Sequence, residues 1–405
     1  MTSMNSMDQT TQNPELEKQA QLEKLNQKVK KSDSDFIYGF NENIKPGLVG
    51  QIENALIEAQ KVTLKEKAYF YHLFAVLMNA GINTIMSLKI LANKTENQKF
   101  KRVLNTIIHD VEKGESISRA FEKFPIVFST AEVGVIKSGE ATGSLDKMLS
   151  RLAEQTEEQY ELITQLKSAL TYPAIVFVIL GIAIFIMFGF VIPKLVGLFI
   201  ENNIELPTIT KAMLFVSNII RDFWALIISA FVVGTLMLSS YFQSESGKFT
   251  YDLLKLKIPI VGDIFKKVYL VRFFSTLGLL LDAGVPLQET ISIVGRVIDN
   301  EVYKLKTYDL KAEVQTGSPI SANLAKTPFL FPETVVKMLE IGEKSATLSD
   351  MSLKVSKQYL GEVRYTLKNL TSIIGPIVIV IVGTFVAVFA LAILGPVFKL
   401  SEGII

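Results

Sequence analysis

The 405-residue chain contains no cysteine, only two histidines and a single tryptophan. The missing thiol excludes disulfides, thiolate metal sites and cysteine nucleophiles together. His72 and His109 each fall in an amphipathic helical pattern. There an ordinary solvated or satisfied histidine is expected, because a metal centre needs several donors converging. Charge of one sign is also lacking, since 42 Lys and Arg face 40 Asp and Glu. No basic block with interleaved aromatics is present, so no nucleic-acid partner is expected. Nor is there a phosphate loop: Ser246-Gly247-Lys248-Phe249 comes nearest, but lacks both the Ser/Thr that would hold Mg²⁺ and the earlier glycine. The chain reads as a non-enzyme without metal or cofactor.

Long apolar runs, in contrast, are abundant. From Leu145 to Thr171 the apolar positions Leu145, Met148, Leu149, Leu152, Ile163, Leu166 and Leu170 recur at helical spacing. This amphipathic rod leads into residues 168–193, which carry no formal charge. That stretch is about 39 Å of helix at 1.5 Å per residue, longer than the ~30 Å hydrocarbon core of a bilayer. Residues 223–244 and 369–398 are two further uncharged runs. No ionisable group interrupts them, which argues against an ion or proton path. After the second run come Lys248, Lys255, Lys257, Lys266 and Lys267, an excess that marks the cytoplasmic side. The N-terminus lacks the short apolar core of a signal peptide.

These features predict an all-α membrane protein with two duplicated cytoplasmic six-helix bundles and three transmembrane helices. The expected order is an N-terminal polar arm, linker and helix (1–62), a first bundle (63–171) and a first span (172–198). A short external loop (199–222), a second span (223–244), a second bundle (245–368), a third span (369–398) and an external tail (399–405) follow. The N-terminus would be cytoplasmic. Within the first bundle, Thr63/Glu66, Thr95/Gln98 and Ser129/Glu132 have the spacing of helix-opening caps, whereas Ala80-Gly81, Gly114 and Ser138-Gly139 read as helix ends.

The chain also aligns on itself at an offset of 203 residues without a gap. Phe70 falls on Phe273, Ala80-Gly81 on Ala283-Gly284, Ile117-Ser118 on Ile320-Ser321 and Gly139-Glu140 on Gly342-Glu343. Pro173 falls on Pro376 and Pro193 on Pro396. The unit of duplication is thus bundle plus span, with the middle span returning the chain so that both bundles face one compartment.

Several runs carry a resemblance: KVTLKEKAYFYHLFAVLMNAGINTIMSLKIL, VGVIKSGEATGSLDKMLSRLAEQTE and SALTYP in the first copy. KIPIVGDIFKKVYLVRFFSTLGLLLDAGVPLQETI and FPETVVKMLEIGEKSATLSDM follow in the second. Over about residues 63–400 the chain resembles the F family of type II secretion and type IV pilus inner-membrane platform proteins. The resemblance implies a multi-pass protein of the bacterial cytoplasmic membrane that self-associates in the lipid bilayer. It implies partners as well: a cytoplasmic assembly ATPase, pilin or pseudopilin subunits, and other inner-membrane assembly proteins. A membrane transporter or membrane-bound enzyme is the alternative class. Two departures stand out, Ala346 where the first copy has Gly143, and Gly375 before Pro376 where many relatives are acidic.

Glu140 and Glu343 are the sharpest polar candidates, each placed in a short connection between helices. Three readings are open for them: a loop carboxylate bonded to helix-start N–H groups, with Ser144 capping the rod; a partner contact; and a cation site with Asp146. Pro173 and Pro376 are joint candidates, expected to kink or break each rod at membrane entry.

Overall fold

Every element among the described residues of this computed structural model, 57–201 and 208–402, is helical. The expectations for the polar arm and its linker concern residues 1–56, which lie outside the described residues. The chain divides between Glu157 and Glu158 into two units.

The first unit holds α1 (Leu64–Asn79), α2 (Thr84–Lys94), α3 (Gln98–Glu112), α4 (Ile117–Glu122), α5 (Thr130–Thr142) and the opening turns of α6 (Leu145–Ile186). Thr63 and Glu66 close a capping box: Glu66 N–H donates to Thr63 Oγ1 at 3.2 Å and Thr63 N–H to Glu66 Oε2 at 2.6 Å. Ser129 and Glu132 repeat the device on α5. Glu132 also meets Lys67 at 2.8 Å, which ties α5 to α1. The opening of α3 departs from expectation, because Asn97 rather than Thr95 accepts from Phe100 N–H, at 3.1 Å. The Thr95 hydroxyl instead donates to the Leu91 carbonyl at 2.8 Å and closes α2. Beneath these caps lies an aromatic core of Phe70, Tyr71, Phe74, Phe100, Phe121 and Phe128.

The second unit holds the rest of α6, α7 (Ile192–Glu201), α8 (Thr208–Gln243), α9 (Glu245–Lys257), α10 (Val261–Asp282), α11 (Leu287–Val297), α12 (Glu301–Gln315), α13 (Ile320–Leu324), α14 (Glu333–Lys344) and α15 (Leu348–Glu402). Its central helix α10 is buried from Val268 to Leu280 except at Arg272. Small residues let α15 approach closely: Ser349 Oγ donates to the Gly278 carbonyl at 2.9 Å, and Ser356 Oγ to that of Val271 at 3.2 Å. A Cβ on Gly278 would come within 2.7 Å of Leu353. Leu162 and Ala169 of α6 join the same core. Helix α9 was not marked out by the sequence pattern, and Asp252 on it accepts from Glu301 N–H at 2.8 Å, helping to cap α12.

Among the described residues two helices are long and apolar enough to cross a membrane, Leu145–Lys194 and Leu348–Leu391. In their most apolar stretches almost no side chain is buried, as a lipid-facing surface requires, since burial there would instead indicate a protein core. Within α8, Thr210–Leu226 and Ile228–Phe242 form a bent pair at 52°. Ser229 Oγ donates to the Leu226 carbonyl at 2.9 Å beside the bend, the kind of side-chain intrusion that opens a helix ladder. The expected loop at 199–222 is helical over most of its length, because α7 runs to Glu201 and α8 starts at Thr208.

Neither proline breaks its rod. Helix α6 passes Pro173 and α15 passes Pro376 without a break. Each proline removes one donor from a long helix whose neighbouring bonds persist, and apolar spans tolerate that loss. The ladder changes instead at Met187–Val191, a π-helical segment just before Pro193. The proline ring crowds the carbonyl four residues earlier, here that of Gly189, and the wider turn gives it room. The Ser217 hydroxyl on α8 donates to the Phe188 carbonyl inside this segment.

Candidate functional site: a glycine-glutamate brace in each bundle

A helix as short as α4 leaves most of its N–H groups without intrahelical partners. Ser116 occupies the N-cap of α4 but makes no capping bond with its side chain. Glu140 supplies the acceptors from α5. Its Oε1 accepts from Ile117 N–H at 2.7 Å, while Oε2 accepts from Ser118 N–H at 3.2 Å and from the Ser118 hydroxyl at 2.7 Å. The second unit builds the same device around α13, whose N-cap is Pro319, a residue with no capping side chain. Glu343 accepts there from Ile320 N–H at 2.5 Å, from Ser321 N–H at 3.3 Å and from the Ser321 hydroxyl. A carboxylate aimed at helix-start N–H groups gains charge-assisted bonds, stronger than neutral ones.

Glu140 and Glu343 are therefore helical residues, in the last turns of α5 and α14, and not loop residues. They bond helix starts as a capping carboxylate would, yet the helix concerned begins 22–23 residues earlier rather than at the adjoining rod. The Ser144 hydroxyl lies 2.7 Å from that of Thr142. Among the described residues no group of three or more His, Cys, Asp or Glu side chains gathers to hold a metal ion. A cation at Glu140 would also have to displace three donors already in place.

The glycine before each glutamate has a separate cause. Gly139 does not end α5, which continues to Thr142. A Cβ at Gly139 would lie 2.9 Å from Met148 Cγ and 3.1 Å from the Leu145 backbone, and at Gly342 the equivalent distances to Met351 and Leu348 are 2.9 and 3.2 Å. Glycine lets the rod fold back closely against the helix before it, and the next residue's carboxylate then reaches the short helix. The actual end of α5 is Gly143, at φ 66°, whereas Ala346 takes its place in the second unit at φ 56°. A side chain in that left-handed region costs about 1–2 kcal/mol. Ala346→Gly should therefore stabilise the second unit by about 0.5–1 kcal/mol, after the entropy glycine adds to the unfolded chain. Slower amide exchange around residues 340–350 would register the gain, and faster exchange would exclude strain at Ala346.

One sequence clue to the brace was visible, the joint repetition of Ile117-Ser118 with Glu140 and of Ile320-Ser321 with Glu343. The Lys67–Glu132 pair gave no such clue. Its repeat positions are Leu270 and Val335, both buried, so an ion pair in one bundle is an apolar pair in the other.

The profile of type II secretion system protein F matches twice, over residues 70–193 and 273–396, the interval that carries the duplicated bundle, brace and rod. The chain belongs to the type II secretion system protein F family. Among its relatives, the type IV pilus assembly protein PilC of Thermus thermophilus is 34% identical over 83% of each chain. PilC of Pseudomonas aeruginosa is 28% identical over 85% of this chain and 92% of its own. Type II secretion system protein F of Pseudomonas aeruginosa is 25% identical over 85% of each. As a member of the protein F family, the chain is an all-α membrane protein with a duplicated domain.

Proposed function

We propose that this protein is the inner-membrane platform of a type IV pilus, coupling a cytoplasmic assembly ATPase to pilin polymerisation and acting together with other inner-membrane assembly proteins. The observation that carries the proposal is the unbroken passage of both α6 and α15 from a helical bundle into an apolar span, in a chain similar to pilus assembly proteins over four-fifths of its length. Helix α6 is about 63 Å long at 1.5 Å per residue, so a displacement of a bundle reaches the bilayer through one continuous rod. The likeness to type II secretion system protein F favours a second reading, in which the polymer is a pseudopilus. On either reading the energy comes from the partner, and the platform acts as an oligomer.

Its topology in this proposal has three crossings, with the N-terminus and both bundles on the cytoplasmic side of the bacterial inner membrane. The lysines after the second crossing support that orientation. Deleting the gene should abolish surface pili, or pseudopilus-dependent secretion on the second reading, and the wild-type protein should co-purify with an assembly ATPase. Normal pili and normal secretion in a deletion strain without a paralogue would overturn both readings. Because the chain lacks cysteine, single-cysteine variants report topology cleanly. Asn105→Cys and Tyr308→Cys, exposed and repeat-equivalent, should react only from the cytoplasm, and Glu205→Cys only from outside. Opposite sidedness of the first two would exclude this topology.

A further inference from the structure

Glu161 and Arg364 are equivalent residues of the two repeats, 203 positions apart, and they pair with each other, Nη2 to Oε2 at 2.7 Å. The two rods therefore meet at matching heights within the second unit. One turn farther along lies a cleft of about 430 Å³, lined by Gln165, Ser168 and Ala169 of α6 and by Arg364, Leu367 and Lys368 of α15. Its position is fixed by sequence: the uncharged stretch of α6 begins at Ser168 and that of α15 at Asn369. The cleft thus sits where both rods leave charged surroundings for apolar ones.

Its chemistry divides by height. Ala169 and Leu367 form a buried apolar floor, while Arg364, Lys368 and Ser168 are exposed around it. Arg364 has five N–H donors, more than the single contact with Glu161 occupies. Lys368 has no ion-pair partner among the described residues and lies one turn nearer the apolar span. The Gln165 amide and the Ser168 hydroxyl add neutral donors. Tyr172, exposed on α6, follows the cleft by one turn on the side of the apolar span, where amphipathic rings settle in a bilayer interface. Beyond it α6 exposes Ile175 and Ile179, and α15 exposes Ile373 and Ile377. Donors at one end of a cleft and exposed aliphatic side chains running from the other match a molecule with an anionic phosphate head and hydrocarbon tails.

We propose that this cleft binds the phosphate of an anionic phospholipid headgroup, held by Arg364 and Lys368 with Gln165 and Ser168 as secondary donors, its acyl chains lying along the apolar faces of α6 and α15. A lipid seated there bridges equivalent points of the two repeats. Binding depends on the cleft alone and is independent of which polymer the platform serves, so a negative result here leaves that reading intact.

Native mass spectrometry of the full-length protein, purified in detergent and supplied with defined lipids, tests the proposal. Wild-type protein should retain phosphatidylglycerol at least about tenfold more strongly than phosphatidylcholine, since basic groups at a membrane surface each favour anionic lipid. Arg364→Gln with Lys368→Gln should remove that preference, whereas Lys337→Gln with Lys344→Gln, exposed charges on α14, should leave it unchanged. Ser168→Trp fills the cleft without changing charge and should also displace the lipid, which guards against a folding defect in the charge variant. Equal retention of the two lipids by wild type, or undiminished preference in both cleft variants, would overturn the proposal. Competition by millimolar inorganic phosphate as effective as that by phosphatidylglycerol would assign the cleft to free phosphate and overturn the lipid source.

Discussion

Replacing Glu343 by alanine should weaken the anchoring of α13 by about 2–4 kcal/mol, the range for withdrawing a charged acceptor from donors that burial keeps from water. Three donors lose their partner at once: the N–H groups of Ile320 and Ser321 and the Ser321 hydroxyl, all on residues the fold buries. Pro319 at the N-cap offers no substitute side chain. Glu343→Gln keeps one acceptor oxygen but turns an amide toward an N–H, so about half the loss is expected. Amide exchange measured on the full-length protein should accelerate at residues 318–325 by roughly thirtyfold to a thousandfold, at 1.4 kcal/mol per factor of ten. Glu140→Ala should do the same around residues 116–122, and the two losses should add because the braces share no side chain. Gly342→Val attacks the same brace from its other side, because a Cβ there meets Met351 and the Leu348 backbone, an overpacking cost of about 1–3 kcal/mol. Unchanged exchange at 318–325 in Glu343→Ala would show that the carboxylate does not hold the helix.

The largest loss is expected from Phe128→Ala, about 3–5 kcal/mol. Phe128 is 1% exposed and its ring lies 4.4 Å from that of Phe121, 6.1 Å from Phe70 and 6.2 Å from Phe100, centroid to centroid. Truncation therefore removes apolar burial, opens a cavity and dissolves several ring contacts together. Phe331 is its repeat counterpart, with rings of Phe273 at 5.3 Å and Tyr303 at 5.7 Å, so Phe331→Ala should be comparably damaging in the second unit. Exchange in the most protected amides of α1 and α3 should speed up by roughly two to three and a half orders of magnitude in Phe128→Ala, at 1.4 kcal/mol per factor of ten, while those of α10 hold. Phe128→Leu, which keeps most of the volume, should lose less than half as much. A loss below about 1 kcal/mol for the alanine variant would mean that the aromatic cluster is not the core of this bundle.

The sequence carried much of this fold, and particular residues show why. Thr63 with Glu66 and Ser129 with Glu132 exchange bonds within one turn, so their spacing alone located two helix starts. Gly81, Gly114, Gly284 and Gly317 all adopt positive φ at helix ends, where no longer-range information is needed. Local sequence does not suffice where a residue answers to a distant one. Ser138-Gly139 has the pattern of a helix end, yet Gly139 is a point of close approach to Met148. At Pro173 the helix continues, because a single lost donor does not break a helix of 42 residues.

What the sequence determined by itself is the helical class, the apolar spans and the duplication, because helix caps, hydrophobic periodicity and a gap-free offset of 203 are properties of the chain read locally or against itself. Tertiary structure alone decided that Glu140 and Glu343 brace the short helices 22–23 residues behind them, and that Glu161 and Arg364 meet across the repeats. A carboxylate's charge is written in the sequence. Which N–H groups it satisfies depends on how helices pack, and here that packing turns on two glycines without a Cβ to hold the rods away.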